Sequence, residues 1–274
     1  MTSQLRCLAV QQPFAWALCA NVKNIENRTW TTKQRGTIVI VASSATSQVK
    51  RFQKDAKPAK LSADHLTVSA AIGLVDIVDV VPLNPSLESN PWAFGPYCWQ
   101  LANGRLFKEP ITCKGKLNLY LPDDDLAAKI SQQVPSAKTP TLDTNGSAWI
   151  AAMTNVPADE RIYARMDNYI KLDDLENVLR MSASGLALNP DDFDFLANQA
   201  EALSNLGRDA EALPVLDRLA SMQPDNPAIY HLRGMTYAML GEVAKSEQDQ
   251  ATVLKLDPIF YDNDGSDEDE GEQD

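Results

Sequence analysis

Gln12-Pro13-Phe14-Ala15-Trp16, followed closely by Lys23-Asn24-Ile25-Glu26-Asn27-Arg28-Thr29-Trp30, is the stretch that decides the reading of this 274-residue chain. It sets two cations, one carboxylate and two tryptophans just ahead of an apolar run. Charged groups beside large apolar ones are costly to bury unless they are paired or turned toward a cleft. Pro13 suits the first turn of a helix that Trp16, Ala17, Leu18 and Ala20 continue. Residues 26–32 then alternate, with Glu26, Arg28 and Trp30 on one side and Asn27, Thr29 and Thr31 on the other. That period of two predicts a strand on which Glu26 and Arg28 share a face, Lys23 entering from the loop before it. Gly36 permits a turn, and Thr37-Ile38-Val39-Ile40-Val41 reads as a buried strand. Two readings of the charges stand: an ion pair that fastens helix to sheet, or the floor of a binding site.

The run resembles the ASCH domain (activating signal cointegrator homology) of the PUA-like group. Lys23, Glu26 and Arg28 match the charged positions of its Gly-x-Lys-x-x-Glu-x-Arg motif, with Asn21 where the family has glycine. Further matches follow in order: Arg35-Gly36, the run Gly73 to Val81, Tyr97-Cys98-Trp99-Gln100-Leu101, and Lys114-Gly115-Lys116. The resemblance spans about residues 4–122 and implies a small PUA-like β-barrel with flanking helices, an α+β unit over residues 1–122. Three departures bear on the ligand: Gln11 for a common arginine, Phe14 for tryptophan, and Val41 where many relatives carry histidine.

Charge divides the chain into unlike halves. Residues 1–122 hold 14 Lys+Arg against 7 Asp+Glu, a net of +7. The remainder holds 11 against 30, a net of −19, and together they give the −12 of the whole. A basic head suits a phosphate-backbone binder, although a modest positive balance is also ordinary for a solvated surface. Ser43 to Lys60, with Lys50, Arg51, Lys54, Lys57 and Lys60, reads as an exposed helical insertion. Cys7, Cys19, Cys98 and Cys113 form no C-x-x-C pair, and only His65 and His231 join them, so neither metal nor cofactor is expected. Free thiols in a reducing cytoplasm, or the nucleus of a eukaryote, are the simplest account. No leader or membrane span is expected.

The acidic half is organised by period. Pro190, Pro224 and Pro258 stand 34 residues apart, as do Gly207 and Gly241, Ala200 and Gly234, and Leu203 and Tyr237. That interval resembles the tetratricopeptide (TPR) repeat, two antiparallel helices per unit, and predicts an all-α helical repeat array over residues 159–260. Repeats 193–226 and 227–260 are clear. Residues 159–192 form a degenerate unit in which Met166, Tyr169, Leu186, Leu188 and Pro190 fit but Asp173 replaces the turn glycine. Trp149 and Ile150 are candidates to cap the array. Residues 123–158 carry turn and linker signals with short helices, one expected from Asp123 to Gln133. Residues 261–274 form an acidic tail expected to be disordered, ordinarily a solubilising segment and, on a sharper reading, a competitor with nucleic acid for the basic head.

Function follows from these parts as expectation. The ASCH resemblance implies RNA or nucleotide binding: Lys23, Glu26 and Arg28 line a cleft, and Arg28, Arg35, Lys114 and Lys116 contact phosphates. Trp16, Trp30 or Tyr97 would stack on a base, or pack the core instead. An alternative is a hydrolase of RNA or of a modified nucleoside using Lys23, Glu26 and Arg28. The amide-hydrolysing relatives carry threonine at the position of Glu26. A carboxylate gripped by two cations favours its ionised form, which suits gripping over proton abstraction. The TPR resemblance implies a peptide groove over Asn198, Glu201, Asn205, His231 and Met235 with no lysine or arginine, suited to a basic or apolar protein segment. A non-catalytic adaptor, RNA at the head and a protein partner on the repeats, combines the two.

Overall fold

The computed structural model describes residues 5–55, 66–142 and 144–261. The acidic tail, Lys57, Lys60 and His65 lie outside the described residues. The chain forms two compact units, one ending at Arg161 and the other beginning at Ile162.

In the first unit the apolar run Ile38 to Ala42 is wholly buried. Its period of two sends Ile38, Ile40 and Ala42 into one core and Val39 and Val41 into another, on opposite faces of a sheet. A strand covered on both faces can be apolar at every position. The elements around it are β1 (Cys7–Val10), α1 (Phe14–Cys19), β2 (Ile25–Arg28), β3 (Gly36–Ala42) and α2 (Ser47–Asp55). They are followed by β4 (Ala70–Pro82), β5 (Tyr97–Thr112), β6 (Leu119–Tyr120) and α3 (Asp124–Gln133).

The six strands form one sheet in the order β2-β5-β4-β3-β1-β6, antiparallel except for β1 beside β3. Ala15, Leu18 and Cys19 of α1 pack on one face, and Leu126 and Ile130 of α3 on the other. The sheet is a half-barrel: β2 and β1 are not ladder neighbours, yet Arg28 Nη2 of β2 donates to the Ala9 carbonyl of β1 at 2.8 Å.

The strand expected over 26–32 stops at Arg28. Arg28 stands opposite Tyr97, the first residue of β5, and the residue before it is Pro96, which has no N–H to continue a ladder. Trp30 instead turns inward, edge-on to Trp99 at 4.6 Å, and its carbonyl accepts from Trp99 Nε1 at 3.2 Å. The expected helix at 123–133 is α3, with the Asp123 carboxylate accepting from Leu126 N at 2.9 Å as its N-cap. Helix α2 is less exposed than a bare insertion, because Val49 and Phe52 are buried. Residues 123–158 hold more than connection: α3 packs on the sheet, and α4 (Thr144–Thr154) buries Trp149 and Met153 within the first unit.

The second unit is built of α5 (Ala158–Lys171, which begins just before it), α6 (Leu175–Leu188), α7 (Phe193–Asn205), α8 (Asp209–Met222), α9 (Pro227–Met239) and α10 (Val243–Leu256). Each hairpin turns on a left-handed residue, and Asp173, Gly207 and Gly241 take φ of +55°, +68° and +76° at the 34-residue interval. Asp173 therefore substitutes for the glycine it replaces, since Asp tolerates this region better than most residues. Ala200, Ala212, Gly234 and Ser246 are buried where paired helices approach, as their small size requires.

Candidate functional site

Lys23, Glu26 and Arg28 meet at the edge of the half-barrel. Both oxygens of Glu26 are engaged: Oε2 accepts from Lys23 Nζ at 2.6 Å, and Oε1 lies 3.0 Å from Arg28 Nη2. The three differ sharply in access. The side chain of Lys23 is 4% exposed, that of Glu26 11% and that of Arg28 22%. Lys23 also donates to the Ile25 carbonyl, and burial pushes its pKa below the ordinary lysine range while Glu26 pulls it back. It is the back of the site, not its wall.

The wall is a cleft of about 380 Å³ lined by Phe14, Glu26, Arg28 and Ser43, with Gln11 and Gln48 at its margin. Two donors there have no acceptor: Arg28 Nε and Ser43 Oγ are buried and unbonded. Leaving such groups unsatisfied costs about 1–3 kcal/mol each. Arg28 is held in place, because its Nη2 meets Ala9 O on one side and Glu26 on the other, while its Nε is enclosed and unbonded.

Of the aromatic residues named from sequence, the structure puts none in this cleft. Phe14 is there instead, its ring 5.6 Å from Lys23 Nζ and edge-on to Phe52 at 5.7 Å. Trp16 is half-buried on α1, its backbone N–H donating to Gln12 Oε1, and Tyr97 packs on the sheet core. Trp30 lines a separate hollow of about 460 Å³. Arg35 is already paired with Asp79 at 2.6 Å, and the Val80 N–H together with Arg35 holds that carboxyl below the usual range. Lys114 and Lys116 flank a smaller pocket of about 220 Å³ that also contains Asp123 and Asp125, so its charge is mixed.

Residues that sequence reasoning passed over do much of the positioning. Asn27 Oδ1 accepts from Phe94 N and Gly95 N at 3.0 Å, and its Nδ2 donates to Trp92 O at 2.9 Å, pinning the loop before β5 to β2. Gln12 is 1% exposed and ties α1 to the segment before β4 through Thr67 O at 2.8 Å. Val41, the histidine position of many relatives, points into the core beneath α3 and does not line the cleft. Among the described residues no cluster of metal-ligating side chains occurs, and the four cysteines are thiols rather than disulfides.

Residues 8–110 match the family model of the ASCH domain. The chain carries an ASCH domain. Those residues hold Lys23, Glu26, Arg28 and most of the half-barrel, β6 lying beyond them. A search of curated proteins found no match to the chain. Among solved structures, similarity is to TPR proteins. The first TPR of Spaghetti (RPAP3) bound to the HSP90 peptide SRMEEVD is 19% identical, covering 36% of this chain and 79% of that one at a TM-score of 0.35. MamA from Desulfovibrio magneticus RS-1 is 21% identical over 49% and 75%, with a TM-score of 0.37. YrrB, a TPR protein with an unusual peptide-binding site, is 14% identical over 50% and 66%, also at 0.37.

On the repeats, the groove positions fall on α7 and α9, the first helices of two units. Glu201, Asn205 and Met235 are exposed. Asn198 donates to its own helix at Asp194 O, 2.8 Å away. His231 is covered in part by Phe260 and Tyr261, with Nδ1 3.3 Å from the Tyr261 hydroxyl. No described helix is long and apolar enough to cross a membrane.

Proposed function

We propose that the ASCH domain binds RNA or a nucleotide-like ligand in the Phe14–Arg28–Ser43 cleft without turning it over, and that the helical array holds a protein partner, so that the chain is an adaptor. The observation that carries the ligand reading is the pair of orphaned donors, Arg28 Nε and Ser43 Oγ, in a cleft with an aromatic wall. A base or ribose offers acceptors to both, once a small outward turn of Arg28 and Ser43 exposes the enclosed donors, and a flat face to Phe14. A charge-assisted bond from a preorganised guanidinium is among the stronger single contacts a site can make. The basic balance of residues 1–122 favours a phosphate-bearing ligand.

The same geometry argues against hydrolysis. Glu26 has both oxygens committed to cations, so neither is left to take a proton from water. Among the described residues no histidine or cysteine lines the cleft, and Lys23 lies behind Glu26. Lys23 is therefore a positioning residue, acting on ligand through Glu26 and Arg28. The partner reading is supported by the exposed Glu201, Asn205, Met235 and Met239 on the first helices of consecutive repeats, a face with no lysine or arginine at groove positions.

Titrating the full chain with short single-stranded RNA, single-stranded DNA and free nucleosides, at two salt concentrations, tests the ligand reading. Binding that weakens with salt and at least tenfold in Arg28→Ala is expected. Turnover abolished by Glu26→Gln would instead establish the hydrolase, and silence with every ligand would leave only the repeat array with a role.

A further inference from the structure

Apart from the Arg28 cleft, the first unit has a second hollow of about 460 Å³, farther along the same edge. Arg6, Trp30, Lys33 and Asn118 line it, and among the described residues no carboxylate does. Its place follows from two segments. Strand β1 reaches the cleft with Ala9 and Val10, while Arg6, just before its start, reaches the hollow. Strand β2 gives Glu26 and Arg28 to the cleft, and its continuation gives Trp30 and residues 32–34 to the hollow. Arg28, bonded across to Ala9 O, stands between the two.

The hollow is built rather than incidental. Trp30 is clamped edge-on by Trp99, which fixes its ring while leaving it in the lining. Residues 32–35 are tied to themselves, with Arg35 Nη1 donating to the Thr32 and Gln34 carbonyls at 3.0 and 2.9 Å and Gln34 N donating to Thr32 Oγ1 at 3.1 Å. Arg35 is committed to those bonds and to Asp79, but Arg6 and Lys33 are exposed. Beside the lining residue Asn118, Leu117 is 90% exposed, an apolar side chain held in water at the rim.

We propose that this hollow is a second subsite, in which the base of a neighbouring nucleotide stacks on Trp30 while Arg6 and Lys33 take its phosphates. The ligand is then a single strand running along the edge of the half-barrel, not an isolated nucleotide. Aromatic stacking beside a cationic track is how single strands are held without strong sequence preference. The inference rests on the cleft reading above, and the experiment separates the two.

The full chain is titrated with fluorescein-labelled oligouridylates, and the matching oligodeoxyuridylates, of two to six nucleotides, and with unlabelled uridine monophosphate in competition. If the hollow is a subsite, affinity steps up by about 5- to 160-fold once the strand is long enough to reach Trp30. The Arg6→Ser/Lys33→Ser double variant removes that step and lowers the salt slope by about 1.4, leaving monophosphate binding unchanged. Trp30→Leu removes the step as well. Because Trp30 braces Trp99 and its loss can unsettle the fold, the surface double variant is the deciding one. Monophosphate binding with no gain on lengthening, or a gain the double variant retains, overturns the second subsite and leaves the cleft standing. Failure of monophosphate and strands alike overturns both.

Discussion

Replacing Glu26 by Gln keeps the shape of the site and removes one negative charge from between two cations. Arg28, 22% exposed, can turn to water, but Lys23, 4% exposed, cannot. Its remaining acceptors are the Ile25 carbonyl and the new amide oxygen, neither of which neutralises it. Breaking a buried pair by removing one partner costs about 3–5 kcal/mol, and the retained acceptors put Glu26→Gln near 3 kcal/mol. With a urea m-value of about 2 kcal/mol/M, the midpoint falls by about 1.5 M. The cost must also depend on pH. Burial already lowers the pKa of Lys23, and losing Glu26 removes the main influence raising it. The unfolded chain then binds more protons than the folded one, so stability rises as pH climbs from 7 toward about 10 and the deficit of the variant shrinks. Lys23→Met, which removes the buried charge and leaves Glu26 paired with Arg28, should cost less than Glu26→Gln at pH 7. The assay is clean, because Trp16, Trp30, Trp92, Trp99 and Trp149 all lie in the first unit and tryptophan fluorescence reports on that unit alone. A loss under about 1 kcal/mol at pH 7, or one that pH does not change, would refute the buried, charged Lys23 on which the reasoning depends.

Three further outcomes are expected. Arg28→Lys keeps the charge but loses the fork that meets Ala9 O and Glu26 while presenting Nε, so ligand affinity should drop by about 1.5–3 kcal/mol in fluorescence titration, with little change in the tryptophan-monitored unfolding midpoint. In the repeats, Gly185→Ala sets helix propensity, a gain of about 1 kcal/mol, against a collision, since a Cβ there would sit 2.2 Å from the Phe195 ring, itself stacked on Tyr163. Overpacking of this kind costs about 1–3 kcal/mol and should win, lowering the melting temperature of the helical array followed by far-UV circular dichroism. Finally, one thiol of the four should react with an aromatic disulfide reagent in the native chain, because Cys113 is half-buried while Cys7, pushed up to about 12 chiefly by burial, Cys19 and Cys98 are enclosed. All four should react in urea, and native labelling of Cys7 would contradict its place in the core.

What was legible in the sequence is what repetition and period carry. Three helix pairs follow from Pro190, Pro224 and Pro258 and from the turn residues, because a repeated backbone needs the same conformations at the same interval. The sheet is legible in Ile38 to Ala42, since buried strands must be apolar, and in Gly73 to Val75, buried before Asp76, Val78 and Asp79 reach the surface. The meeting of Glu26 with Arg28 follows from their spacing. Other parts depend on partners distant in sequence. That Arg35 belongs to Asp79 requires the β3–β4 pairing, and that Phe14 rather than Trp16 faces the cleft requires the rotation of α1 on the sheet. Asn27 reads as the unremarkable side of a strand until the loop at Trp92 to Gly95 folds onto it. Ser43 gives no signal at all in sequence, one serine beside another, and becomes informative only as a buried hydroxyl without a partner.

The central claim is that Arg28 Nε–H, unbonded in the free protein, is the group that receives the ligand. Its cross-peak in an arginine-optimised 15N–1H NMR spectrum of the full chain, assigned by its loss in Arg28→Lys, tests this most directly. On addition of a short single-stranded RNA the account predicts a downfield shift of that resonance and its protection from exchange with water, with the RNA recovered intact. A ligand that saturates the protein while the Arg28 Nε–H signal stays where it was would contradict it.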